Sequence, residues 1–215
     1  MGLTMISRIK SAMCVIIRQK NREHLHNYWM NPNDRFNSPE LYLQGKDRSE
    51  FLVTMIKDLQ VENSIPIMEL GCNVGRNLNE LFCSGFRNLS GIEINQNATG
   101  LMRKSYPELS KITIHNHSIE NKIRDFKDSE FGIVFTMAVL MHIHKDSHWV
   151  FEEIARITGR YLVTIEDEKG KARKNFPRDY GKIFEKLGMV QVRCIVDDGT
   201  IFGKDYRLRV FKKPE

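Results

Sequence analysis

The residues able to do chemistry in this chain fall into three groups. Glu69, Gly71, Cys72, Asn73, Gly75 and Asn77 lie in the stretch SIPIMELGCNVGRNLNEL from Ser64 to Leu81; Glu93 sits at the end of a second apolar run; His142 and His144 follow another. In the first group an apolar segment closes on a carboxylate and a turn bracketed by two glycines follows. Leu78 and Leu81 then recur at helical spacing. Glycine suits such a turn because it takes positive φ and because the missing Cβ lets a ligand lie against the backbone. The helix that starts there offers unpaired N–H groups to a carboxylate or phosphate. Glu93 stands about 20 residues further on, the separation at which an α/β nucleotide site sets a carboxylate on the vicinal hydroxyls of a ribose. Two matches in register point to a cofactor built on adenosine. A dinucleotide is disfavoured, because a pyrophosphate site wants glycine where Asn73 and Arg76 stand.

The elements that must hold these groups read as strands and helices in alternation. Ile65, Ile67 and Leu70 mark a buried first strand; Leu89 to Asn95, Lys111 to His115, Phe131 to Thr136 and Arg160 to Glu166 are predicted as the next four. Helices are expected over Asp47 to about Leu59, Gln96 to Tyr106 and Ser147 to Ile157, where apolar residues recur at three and four. Five such alternations argue for a parallel sheet covered on both faces. A helix from Tyr180 to Leu187, strands from Val190 to Val196 and Tyr206 to Phe211, and a turn at Asp197, Asp198 and Gly199 complete the chain as an antiparallel hairpin. Ahead of the sheet, residues 28–43 mix aromatics with Asn, Asp and Pro, the chemistry of a loop. Tyr28, Trp29 and Tyr42 then either wall a pocket as a lid or simply cover the sheet.

Glu69, Gly71 and Gly75, spaced E-x-G-x-x-x-G, resemble the first motif (E/D-x-G-x-G-x-G) of class I S-adenosylmethionine-dependent methyltransferases, with Asn73 at the middle glycine. Asn is the residue other than glycine that best tolerates the left-handed region. FGIVFT running into MAVLMHIH is similar to the family's fourth motif, with Gly132 in place of the usual aspartate, and the terminal hairpin ends the chain as the family does. The resemblance spans roughly residues 60–215. It implies a Rossmann-like α/β fold with seven strands in the order 3-2-1-4-5-7-6, the last antiparallel, occupying residues 47–215 behind an N-terminal helix and aromatic cap in residues 1–46. It further implies S-adenosyl-L-methionine as cofactor, held by the six residues of the glycine segment, by Glu93 and Ile94, by Ser118 and Ile119 at the adenine, and by Thr136 and Met137. The family often keeps a histidine at the position of His142. That ranks His142 first as a base or acceptor contact and His144 second, although packing is the default reading for one of the two.

A methyl acceptor of small-molecule or sugar-like type is the first functional reading. The chain is basic, with a net charge of +6 and a pI near 9.1, and Lys169 to Arg178 form a charged loop. RNA is therefore a second candidate acceptor, against which stands the lack of an appended RNA-binding motif or an Asn/Asp-Pro-Pro-Tyr segment. A third reading is a non-catalytic partner protein that keeps the fold. His142, His144, Glu166 and Asp167 make only a weak metal signal, so no metal is expected. Cys14, Cys72, Cys83 and Cys194 show no C-x-x-C pairing and read as reduced thiols in a cytoplasmic protein. No apolar run approaches a membrane span, and no secretory signal is seen. Residues 1–25 can form a basic amphipathic helix, a packing element first and a peripheral membrane contact second.

Overall fold

The computed structural model describes residues 20–32 and 35–214. Most of the helix expected over residues 1–25, and Cys14 with it, lies outside them. One sheet organises the rest: β1 (Ile67–Leu70), β2 (Leu89–Ile92), β3 (Thr113–His115), β4 (Phe131–Met137), β5 (Thr158–Asp167), β6 (Val190–Val196) and β7 (Tyr206–Lys212). Their order is β3-β2-β1-β4-β5-β7-β6. The first five strands are parallel, and β7 runs antiparallel to both β5 and β6.

Alternate side chains of a strand face opposite sides of a sheet, and here both sides are apolar. Met68 and Val134 join one core with α5 (Ile119–Lys122), α6 (Val150–Ile157) and α7 (Tyr180–Lys186). Ile67, Ile133 and Phe135 join the other with α2 (Lys46–Lys57), α3 (Arg76–Cys83) and α4 (Gln96–Ser105). Burial on both faces is what makes parallel strands continuous apolar runs. Gly132 also has a packing reason: a Cβ there would stand 2.3 Å from Ile65 Cγ1, so the usual aspartate is displaced by the chain entering β1.

The N-terminal aromatic segment departs from the loop expected of it. Arg22–Met30 form a helix, α1, that carries Tyr28 and Trp29, and Pro39–Leu43 form a 3-10 turn. Asn21 caps α1 by accepting from the His24 N–H at 2.9 Å, and Glu23 lies in the first turn. Both features favour a helix N-terminus. Pro32 then comes too late to break it. Leu25 is its one buried residue, so α1 is held by what its aromatic end touches.

Candidate active site

The parallel register brings the ends of β1, β2 and β4 to one edge of the sheet. Beyond β1 the chain turns through Gly71 at φ +75°, Asn73 at +46° and Gly75 at +71°, all in the left-handed region. The Gly71 and Cys72 N–H groups both donate to Ile92 O, at 2.8 and 3.0 Å, which ties this turn to the end of β2. A Cβ on Gly71 would lie 2.6 Å from Val139, and one on Gly75 would lie 2.4 Å from Met102 Sδ. Gly71 therefore admits the loop after β4, and Gly75 admits α4.

Two buried carboxylates face this turn. Glu93 accepts from the Asn73 N–H through Oε2 and from the Asn95 N–H through Oε1, each at 2.7 Å. Burial pushes its pKa up against those two donors. Glu69 accepts from Asn77 Nδ2 at 2.7 Å through Oε1, and its Oε2 has no partner. Burial lifts this carboxyl to about 8, outweighing the Asn77 bond and the Arg76 charge. An unpaired buried oxygen of this kind suits a cationic ligand group. Arg76 is engaged elsewhere: it donates to Ser49 Oγ at 2.8 Å and to the carbonyls of Tyr42 and Gln44, fastening the 3-10 segment over the turn.

The segment after β4 is built around a third buried carboxylate. Glu166 accepts from Thr136 Oγ1 at 2.8 Å, from the Val139 N–H at 3.0 Å and from the Met141 N–H at 3.2 Å. Burial raises it to about 7 in spite of these donors. Ala138, within this span, takes φ +57°, a conformation that costs an L-residue about 1–2 kcal/mol and persists when its surroundings impose it. The loop delivers His142. Its Nδ1 lies 3.0 Å from Lys174 O. A carbonyl only accepts, so Nδ1 carries the proton and Nε2 keeps its lone pair. Burial holds the imidazole down at about 4, neutral in ordinary buffers. The Trp29 ring packs against it with centroids 4.5 Å apart.

A cavity of about 1280 Å³, including its open mouth, joins these parts: Glu69, Asn73, Glu93, Ser118, His142 and Trp29 all line it. Residues 68–160 match the family described as "Methyltransferase domain". Residues 68–160 thus carry a methyltransferase domain, set on a sheet with the strand order of the class I S-adenosylmethionine-dependent fold. No curated protein matches it in sequence. Among solved structures it is similar to magnesium protoporphyrin IX methyltransferase from Synechocystis PCC 6803 with bound SAH. The two share 12% identity, cover 90% of this chain and 100% of that one, and superpose with a TM-score of 0.70. Geranyl diphosphate C-methyltransferase from Streptomyces coelicolor A3(2) gives 12% identity, 89% and 97% coverage, and 0.67. The [4+2]-cyclase SpnF shares 11% identity over 77% of this chain and 80% of its own, at 0.63. At such identities likeness speaks for the fold alone, and the cyclase shows one fold housing another reaction.

The methyltransferase cavity gathers most, not all, of the residues expected from the sequence. Glu69, Gly71, Cys72, Asn73, Asn77, Glu93, Ile94, Ser118, Ile119 and Met137 line it; Gly75 and Thr136 stand behind the wall. On the acceptor side Trp29, Tyr42 and His142 line it, and Tyr28 and His144 do not. Tyr28 accepts from Asn37 Nδ2 at 2.8 Å, with Lys174 Nζ 3.5 Å over its ring, and Asn37 Oδ1 accepts in turn from the Tyr42 hydroxyl at 3.1 Å, which links α1 to the 3-10 segment. His144 is buried against Phe176 and accepts from the Asp146 N–H, a packing and capping histidine. Sequence reasoning missed that Glu166 gathers the loop after β4 around it, as a collar, and missed the lining residues Arg48, Phe202 and Tyr206. Glu166 left one signal, an acid at the end of the strand beside β4. Among the described residues no group of three or more His, Cys, Asp or Glu is arranged for a metal, and no helix is long and apolar enough to cross a membrane.

Proposed function

We propose that this methyltransferase acts on a small-molecule or sugar-like acceptor bound between the end of β4 and the aromatic residues Trp29 and Tyr42, with His142 as proton acceptor. The observation that carries the reading is the His142 imidazole. It is neutral, its tautomer is set by Lys174 O, and it lines the same cavity as Glu69 and Glu93.

The residues fit S-adenosylmethionine. The orphan Glu69 oxygen suits its cationic end, Glu93 suits the ribose diol, and Ser118 with Ile119 suits the adenine. Ser118 Oγ accepts from the Asn121 N–H at 3.2 Å, and it keeps a further lone pair for an amino group. When bound, the cofactor supplies a methyl group on a good leaving group, so the protein's task is alignment and exclusion of water. Trp29 presses on His142 and closes one side. His142 Nε2 accepts the hydroxyl proton of an acceptor as its oxygen gives electrons to the methyl group. A weak base suffices there, because an oxygen that is being alkylated becomes a strong acid. Two basic side chains near this edge are committed within the fold, which supports this reading over an RNA acceptor. Arg178, at the end of the basic loop, donates to Leu140 O and Ile143 O at 3.3 and 2.8 Å, and Arg209, on β7, engages Glu168 in two bonds of 2.8 Å, while Lys169, Lys171 and Arg173 of the loop are exposed.

His142→Ala should keep affinity for S-adenosylhomocysteine, measured by calorimetry, and lose transfer of tritiated methyl into a small-molecule extract. Loss of affinity with turnover intact at saturation would remove His142 from this role.

A further inference from the structure

One corner of the cavity has cationic and hydrogen-bonding capacity that the fold leaves unspent. Arg48, on α2, donates through Nε to Ile201 O at 3.0 Å, and its guanidinium lies 5.8 Å from the centroid of Phe202. Those two contacts use the guanidinium's Nε and its face; the side chain is exposed, and Nη1 and Nη2 have no hydrogen bond or ion pair among the described residues. Tyr206 stacks beside Phe202 at 5.9 Å, and its hydroxyl likewise has no partner among the described residues. Burial pushes the phenol up, so it stays a donor. Arg76 is near enough for Arg48's charge to disfavour its own, and its donors are already committed to Ser49, Tyr42 and Gln44. The corner thus sets a planar two-pronged cationic donor and a phenol, the latter also raised by the nearby Glu166 and Asp167, beside the rings of Tyr42 and Phe202 in the cavity wall. A guanidinium fork matches the paired oxygens of a carboxylate or phosphate.

We propose that the acceptor is an anionic small molecule whose carboxylate or phosphate is held by the Arg48 guanidinium and the Tyr206 hydroxyl, leaving its ring-sized body against the aromatic wall. This rests on the acceptor site argued above and names its substrate class. Arg48 then selects the acceptor by charge and fixes its end, while His142 serves the atom that is methylated.

The test uses the full chain saturated with S-adenosylhomocysteine. Binding of two acid and amide pairs, 4-hydroxybenzoate with 4-hydroxybenzamide and glucuronate with glucuronamide, is followed by ligand-observed NMR, with phenyl phosphate as a third arm. At least one acid should bind about tenfold or more tightly than its amide, and Arg48→Ala should bring the two within about twofold while S-adenosylhomocysteine affinity stays unchanged. The stronger of phenyl phosphate and 4-hydroxybenzoate identifies the head group. Equal binding of acid and amide, no binding of either pair, or a preference that survives Arg48→Ala overturns the inference. A fall in S-adenosylhomocysteine affinity in Arg48→Ala overturns it too, by assigning Arg48 to the cofactor. If the wild-type chain fails to bind S-adenosylhomocysteine at all, the methyltransferase reading fails first, a result distinct from every other.

Discussion

Replacing Glu166 with glutamine should leave the protein folded but remove a pH dependence from its stability, whereas alanine at the same position should be severely destabilising. The carboxylate collects the Thr136 hydroxyl and the Val139 and Met141 N–H groups in a fully buried place. Alanine leaves three buried donors unmet at about 1–3 kcal/mol each, a large part of the roughly 5–15 kcal/mol that holds a domain together. Glutamine still offers an oxygen to the two N–H groups and a donor to Thr136 Oγ1, which turns to accept. In the native protein burial raises this carboxyl from 4.5 to about 7. Its contribution to stability is therefore fully present below about pH 4.5 and is lost as pH rises through 7. At about 1.36 kcal/mol per pH unit that interval corresponds to about 3 kcal/mol at most. Urea melts followed by tryptophan fluorescence at pH 5 and pH 8 measure it. Wild type should lose up to this amount relative to Glu166→Gln on going to pH 8. A difference that does not change with pH, or an alanine variant as stable as wild type, would refute the collar.

Four further outcomes follow from named contacts. Gly71→Ala should destabilise the fold and abolish S-adenosylhomocysteine binding in calorimetry, because φ is +75° and the new Cβ meets Val139 at 2.6 Å; Gly100→Ala, with nothing within 4 Å, is the neutral control. Glu93→Ala should weaken S-adenosylhomocysteine binding by roughly 10- to 100-fold, the scale of a lost charge-assisted bond. Glu69, held near 8 in the free protein, must lose its proton to meet a cationic group. Affinity for S-adenosylmethionine should therefore climb as pH rises from 6 to about 8, flatten above that, and lose this slope in Glu69→Gln. Trp29→Ala should leave S-adenosylhomocysteine affinity intact and lower transfer to the acceptor, since the ring contacts His142 and the cavity rather than the glycine turn.

Much of this architecture was legible because its signals are local. A strand buried on both faces must be an apolar run, and a ligand turn must be bracketed by small residues, so β1, the glycine turn and α3 announce themselves. Strand order came from the resemblance to a family. What stayed hidden depends on partners far away in sequence. Glu166, Asp167 and Glu168 look alike in a charge run, yet each has its own fate. Glu166 is the collar of the loop after β4, Asp167 accepts from the Lys169 and Gly170 N–H groups, and Glu168 pairs with Arg209 from β7. Helix α1 was hidden for the same reason: only Leu25 is buried in it, and its place is set by Trp29 on His142 and by His26 3.1 Å from Glu120. Arg48 and Tyr206 share a wall only because β7 returns antiparallel beside β5.

Transfer of label from S-[methyl-³H]adenosylmethionine tests the central claim most directly, with wild type and His142→Ala each offered a small-molecule extract and total RNA in parallel. Wild type should label the small-molecule fraction and leave RNA unlabelled, and His142→Ala should label neither while binding S-adenosylhomocysteine as tightly as wild type. Label in RNA, or equal labelling of small molecules by both proteins, would contradict the account.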